Sequence, residues 1–259
     1  MKIAIIGAGN MGGAIARGLA KGTIVPAENI TVSNRSQGKL DKLKAEFPSL
    51  HTTTHNLEAA EGADMVILAV KPWLIIDLLK ELQLPANTLI VSVAAGISCN
   101  ELLACFDNKK QTIFRVVPNT AISELQSMTL ICGCNATDEQ WALMHAIFNE
   151  MGATVALSEA KLGAGTSLAS CGIAYALKYI QAAMQAGIEM GLYPKDAAKM
   201  VAQSLIGAGQ LILHNETHPS AEIDKVCTPG GYTIKGINEL EHNGFSSAII
   251  QAMKASKCQ

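Results

Sequence analysis

Charged side chains are scarce in this sequence. Asp, Glu, Lys and Arg make up 16% of its 259 residues, against 49% hydrophobic. No cluster of Lys and Arg stands out, and the formal charge is −2. Nucleic-acid binding rests on neutralising phosphates, so this pattern argues against it. Long apolar runs are also missing. The longest in the C-terminal half, Leu168 to Leu177, stops at Lys178, short of the ~20 residues that a membrane span needs. The opening run, Met1 to Ile6, is too short for an export signal and meets a glycine turn. A soluble, cytoplasmic chain is expected. Cysteine pairs are lacking too. Cys99, Cys105, Cys132, Cys134, Cys171, Cys227 and Cys258 include no C-x-x-C. Their thiols are expected to stay reduced, most of them as small buried hydrophobes. His214 and His218 lack the H-E-x-x-H order, so no metal site is expected.

What is present is a pattern of short apolar runs alternating with helical segments. Strands are expected at Lys2–Ile6, Ile30–Ser33, Met65–Val70, Leu89–Val93, Ile113–Val117, Thr129–Cys132 and Thr154–Leu157, with a brief segment at His51–Thr54. Helices are expected at Asn10–Lys21, Gln37–Phe47, Trp73–Leu82 and Asp138–Met151. Continuous β-branched runs between helices signal a parallel sheet covered on both faces. After Ser158 the pattern turns helical: a long stretch over Gly163–Gly191 with breaks at its glycines, then Pro194–His214, Ala221–Cys227, Thr233–His242 and Ser246–Ser256. The expected fold class is therefore α/β. A doubly wound, Rossmann-type, mostly parallel sheet should occupy residues 1–158, and an all-helical domain residues 159–259. The first long helix carries Leu168, Ile173, Leu177, Ile180, Met184 and Ile188 among alanines and glycines. It is apolar nearly all round and needs cover on most faces. A second copy of the chain is the simplest cover, which makes the helical domain a dimerisation domain.

Gly7-Ala8-Gly9-Asn10-Met11-Gly12 follows the first strand and opens the first helix. That context turns a weak G-x-G-x-x-G string into a dinucleotide fingerprint. Gly7 permits the tight turn, Gly9 lets a pyrophosphate approach, and Gly12 lets helix and sheet pack. The helix start offers free N–H groups and partial positive charge to the phosphates. NAD enzymes usually carry an Asp or Glu at the end of the second strand. Here stand Asn34, Arg35 and Ser36. Arg35 suits a 2′-phosphate, so NADP(H) is expected, with NAD(H) as the alternative if Arg35 is only a solvated loop cation. The turns after the other strands should line the same cleft: Ala69, Val70, Lys71 and Pro72; Ala94, Ala95 and Gly96; and Asn119, placed to touch the nicotinamide ribose or carboxamide. Asn56 is a candidate contact to the adenosine. Each of these also suits an ordinary turn.

In the helical domain, Thr228-Pro229-Gly230-Gly231-Tyr232-Thr233 runs from a turn into a helix. Its N–H groups would form an anion nest. A plain helix–helix turn capped by Thr233 fits the residues equally well.

This segment resembles the signature of the pyrroline-5-carboxylate reductases, with Thr228, Pro229-Gly230-Gly231, Thr233, Gly236 and Leu240-Glu241 in the matching places. The resemblance extends to the glycine motif, Val70-Lys71-Pro72, Ala94-Ala95-Gly96 and Pro118-Asn119-Thr120. Two places depart from it: Ala121 and Ile173 stand where the family often has proline. The resemblance implies NADPH-dependent reduction of 1-pyrroline-5-carboxylate to L-proline, the last step of proline biosynthesis, by a homodimer that often assembles further. It implies a substrate carboxylate held by backbone N–H groups of Gly231, Tyr232 and Thr233, with Thr228 and Gly230 completing the turn. It also implies contact of the Thr233 hydroxyl with the ring nitrogen, and a carboxylate, Glu216, steadying the iminium charge. A 3-hydroxyacid dehydrogenase would instead need a lysine acid on the long helix, where Lys178 lacks a matching motif. A non-catalytic NADP-binding sensor is the alternative of another class.

Overall fold

The computed structural model describes residues 1–107 and 109–257. Its strands are β1 (Ile3–Ile6), β2 (Ile30–Ser33), β3 (His51–Thr53), β4 (Met65–Leu68), β5 (Leu89–Ser92), β6 (Ile113–Val117), β7 (Ser127–Cys134) and β8 (Gly152–Ala156). They form one sheet in the order β3-β2-β1-β4-β5-β6-β7-β8. All neighbours are parallel except β6 and β7, which run antiparallel with Arg115 opposite Cys132. The strand order reverses beside β1, and such switch points are where open α/β sheets bind ligands.

The helices between them are α1 (Asn10–Lys21), α2 (Gln37–Glu46), α3 (Asn56–Ala60), α4 (Ile75–Leu82), α5 (Cys99–Leu103) and α6 (Asp138–Asn149). Alternation along each strand divides the core between two faces. Ile3 and Ile5 of β1 join Ile15 and Leu19 of α1, Leu40 of α2 and Phe148 of α6. Ala4 and Ile6 face the other way, toward Ala59 of α3, Leu78 and Leu79 of α4 and Leu102 of α5. A large apolar side chain gains ~1.5–3 kcal/mol on full burial, so strands apolar at every position belong in a sheet covered on both sides. The short α3 and α5 were not expected from the sequence. Both have fewer residues than a hydrophobic period needs to show itself.

The chain continues through α7 (Glu159–Thr166), a π-helical turn (Ser167–Cys171), α8 (Gly172–Glu189), α9 (Pro194–Asn215), α10 (Pro219–Val226), α11 (Tyr232–His242) and α12 (Phe245–Ala255). The long stretch therefore breaks at Ser167–Cys171, not at its glycines. Ile173 stands inside α8 where proline would remove a helical N–H. The chain forms two compact units, Met1–Cys171 with Lys257, and Gly172–Ser256. α7 and the π turn, which follow residue 158, pack with β7 in the first unit. In the second unit α8 buries only Gly187 and α9 only Ala197. Those two touch, since a Cβ on Gly187 would lie 3.2 Å from that of Ala197. Leu177, Tyr179 and Ile188 of α8 are exposed, as are Met200, Ile206 and Leu213 of α9, so one chain does not provide the cover that the long helix was expected to need.

The thiols also differ from expectation. Cys99 of α5 and Cys134 of β7 are joined in a disulfide. Spacing cannot reveal such a pair, because 35 residues separate them and only the sheet brings them together. Of the others, Cys132 is buried and Cys105, Cys171 and Cys227 are half-buried. Cys258 lies outside the described residues.

Candidate functional site

The glycine turn is built as its residues require. Gly7 has φ of +108°, and a Cβ there would meet the Ala69 carbonyl oxygen at 2.7 Å. A Cβ on Gly12 would stand 1.8 Å from the Gly7 carbonyl oxygen. Gly12 therefore presses α1 against the turn and is not itself part of the cleft wall. Around a Cβ on Gly9 nothing lies within 4 Å, so the space that a ligand would use is open. Gly9 is the N-cap of α1, with no side-chain cap and no acidic residue in the first turn. The helix start keeps its unpaired donors and partial positive charge for an anion.

Asn34 holds this turn to the end of β2. Its Oδ1 accepts from the Ala8 N–H at 3.2 Å, and its Nδ2 donates to the Ser36 carbonyl at 3.0 Å and to Ser36 Oγ at 2.9 Å. Asn56 at the start of α3 accepts from Ser33 Oγ at 2.9 Å. Arg35 is exposed and makes no ion pair among the described residues.

These residues surround a cleft of about 660 Å³, within the range of cofactor sites. Gly7, Gly9, Asn10, Met11, Asn34, Arg35, Asn56, Ala69, Val70 and Lys71 all line it. Sequence reasoning missed several others on its wall. Lys39, in the first turn of α2, adds a second cation beside Arg35, and Leu74, Asp77, Leu78 and Glu81 come from α4 and the turn before it. Positions 74, 77, 78 and 81 share one side of a helix by their i, i+3, i+4, i+7 spacing, the one signal that could have found them. A smaller cavity of about 100 Å³ contains Ala95 and Gly96 and shares Met11 and Val93 with the main cleft.

Some expected residues are placed otherwise. Ala94 is buried in the core behind the loop. Pro72 begins a 3-10 turn, and Ser36 serves Asn34 rather than the cleft. Asn119 is 7% exposed with both ends of its amide engaged: Oδ1 accepts from the Ala121 N–H at 3.0 Å, and Nδ2 donates to the Ala169 carbonyl at 3.0 Å. The two bonds fix its side chain across the turn after β6.

In the helical unit, Gly230 has φ of +72° and Gly231 is the N-cap of α11. The Gly231 N–H donates to the Thr228 carbonyl at 2.9 Å, which corrects its expected role as an anion donor. The donors left at this helix start are those of Tyr232 and Thr233, since the first N–H groups of a helix have no partner within it. No side chain caps the helix, so the reading of Thr233 as a cap fails. Thr228, Tyr232 and Thr233 are exposed. Glu216 is the exposed C-cap of α9 with φ of 52°, a left-handed position unusual for a non-glycine residue. Lys178 is exposed and donates to Gln181 Oε1 at 2.9 Å, so nothing prepares it as an acid.

Among known proteins, the chain is 36% identical to pyrroline-5-carboxylate reductase 2 of Dictyostelium discoideum, over 99% of this chain and 93% of that one. The chain belongs to the pyrroline-5-carboxylate reductase family. Residues 159–259 match the family model for pyrroline-5-carboxylate reductase dimerisation, and residues 2–96 match that for NADP oxidoreductase, coenzyme F420-dependent. Pyrroline-5-carboxylate reductase 1 of D. discoideum is 37% identical over 98% of this chain, which spans about half (48%) of that relative's length. The solved Plasmodium falciparum pyrroline carboxylate reductase with NADP bound has 25% identity and a TM-score of 0.88, over 99% of this chain and 95% of that one.

Proposed function

We propose that the chain reduces 1-pyrroline-5-carboxylate to L-proline, the last step of proline biosynthesis, with NADPH preferred over NADH. Family membership across nearly the whole length of a relative carries this reading. The cleft supports it: the open Gly9 position, the uncapped start of α1 and the Arg35–Lys39 pair suit a dinucleotide bearing a 2′-phosphate. Gly9, Asn10 and Met11 would hold the pyrophosphate, Arg35 and Lys39 the 2′-phosphate, and Asn56 the adenosine.

When bound, the cofactor supplies the hydride that the imine carbon accepts. The Tyr232 and Thr233 N–H groups hold the substrate carboxylate, while Gly230 and Gly231 shape the turn that presents them. The Thr233 hydroxyl meets the ring nitrogen, which carries a proton in the reactive iminium form. That cation is already a good electrophile, so the protein has to orient it and balance its charge rather than provide a nucleophile. Glu216 supplies the balancing negative charge. The enzyme works as a cytoplasmic homodimer whose partner covers the exposed apolar residues of α8 and α9.

NADPH absorbance is the direct assay. Purified protein should consume NADPH when pyrroline-5-carboxylate is added, and NADH more slowly; no oxidation of either would sink the assignment. Thr233→Ala should lower kcat/KM and leave NADPH affinity intact. Weakened NADPH binding in that variant would remove Thr233 from the substrate site.

A further inference from the structure

Three sulfurs converge next to the loop that follows β5. Cys99 opens α5, Cys134 ends β7, and Cys132 stands two residues earlier on the same face of that strand. The three sulfur atoms lie within 4.8 Å of one another. The Cys99–Cys134 disulfide spans 6.5 Å between Cα atoms. Cys99 and Cys132 are buried, and Cys134 is half-buried.

This cluster is wired to the wall of the smaller cavity. The Cys99 N–H donates to Glu159 Oε1 at 2.7 Å, and the same oxygen accepts from Arg115 Nη1 at 2.7 Å. Arg115, Ala95 and Gly96 line that cavity, which shares Met11 and Val93 with the dinucleotide cleft. Gly96 has φ of +77°, with nothing within 4 Å of the place a Cβ would take. Ala95 and Gly96 are exposed, while Ala94 and Ile97 on either side of them are buried in the core. Three residues after Gly96, Cys99 is tied to β7 by a covalent bond and to Glu159 by a hydrogen bond.

We propose that the Cys99–Cys134 disulfide is a reversible redox strap. Closed, it holds the Ala95–Gly96 loop in the form that binds the dinucleotide; opened, it lets the loop relax and weakens binding. The proposal rests on the reading of the cleft as a dinucleotide site. Opening needs a thiol reductant of low molecular weight. Its thiolate attacks Sγ of Cys134, the less buried of the two residues, and the S–S bond breaks as Cys99 leaves with the electron pair and takes a proton. A second reductant thiolate attacks the reductant's own sulfur in the mixed disulfide, releasing Cys134 as a thiol. Two protein thiols form and two reductant thiols end as one disulfide. Oxidation by a small disulfide is the reverse. Cys132 does not compete in this exchange. Burial pushes its thiol pKa up, Glu159 adds to the rise, and Arg115 opposes it. A neutral thiol is a poor nucleophile.

The test is an NADPH fluorescence titration of the full-length protein, equilibrated with oxidised glutathione or with dithiothreitol. Reduction should raise the NADPH Kd about fivefold, because binding must then order a loop that the strap had ordered. Cys99→Ser and Cys134→Ser should each show the weaker Kd and no response to dithiothreitol. Cys132→Ser should keep the full response, with thermal melts confirming that all three fold. Alkylation and peptide mass spectrometry should locate the oxidised pair at Cys99 and Cys134. Equal Kd in both redox states, or a pair mapped to Cys132, would overturn the strap alone. Absence of NADPH binding in both states would overturn the cleft reading and the strap with it.

Discussion

Replacing Arg35 with alanine separates the two cofactors. Arg35 is exposed and free of ion pairs among the described residues, so it has no structural partner to lose. Its removal acts on the ligand alone. A charge-assisted hydrogen bond contributes ~1.5–3 kcal/mol. Exposure and salt screening favour the lower half of that range, about 1.5–2 kcal/mol, so the NADPH Kd should rise roughly 10- to 30-fold. Asp77 and Glu81 line the same cleft. With Arg35 gone, their repulsion of the 2′-phosphate is less opposed. Lys39 remains, so the preference should shrink without reversing. NADH has no 2′-phosphate, and its Kd should stay within about twofold, a change worth under ~0.5 kcal/mol. Titration of each cofactor against wild type and variant, repeated at high salt, is the assay. The NADPH effect should diminish as salt rises. Equal losses for both cofactors, or no loss for NADPH, would refute the assignment of Arg35 to the 2′-phosphate.

Two glycines of one motif should respond differently to the same change. Gly12→Ala drives a methyl group to 1.8 Å from a backbone oxygen and should destabilise the fold by ~3 kcal/mol or more in urea denaturation. Gly9→Ala meets nothing and should cost no more than about 1 kcal/mol in stability while sharply weakening NADPH; matched stability losses would contradict this division of labour. The Arg17 Nε–Glu46 Oε2 pair, at 2.6 Å, makes the third case. Its hydrogen bond from Arg17 holds the Glu46 carboxyl below the usual range. A depressed folded pKa adds stability that is present above the unfolded value and is lost as pH falls through the folded one. Glu46→Gln should therefore cost up to about 1 kcal/mol at neutral pH, given its exposure, and nothing in strong acid. A cost unchanged in acid, read by denaturant titration across pH, would rule out the ion pair as its source.

Much of the first unit was legible before its structure. Ile3–Ile6 and Met65–Leu68 are apolar at every position because both faces of their strands are covered, and such runs need no tertiary information to be seen. Asn10–Lys21 and Ile30–Ser33 appear at their expected limits for a related reason. Gly9 and Gly22 bound the first, and the polar residues Asn34 and Ser36 close the second. Asn119 shows the opposite case. Its place after β6 suggested a ligand contact, and nothing in the sequence told of the bonds that fix its amide to Ala121 and Ala169, the second of them 50 residues away. Gly231 is similar: its place at a helix start suggested a free donor, and the turn back to Thr228 consumed it.

Four features could be read without any structure: the alternation of strand and helix, the glycine turn, the missing acid after β2 and the apolar character of α8. Each is written in residues close together in the chain, where period, sterics and charge act directly. It took the folded sheet to bring Lys39 and one side of α4 to the cleft, to run β7 against β6, and to join Cys99 to Cys134. Those outcomes depend on where the sheet places segments far apart in sequence. Spacing along the chain carries no record of that distance.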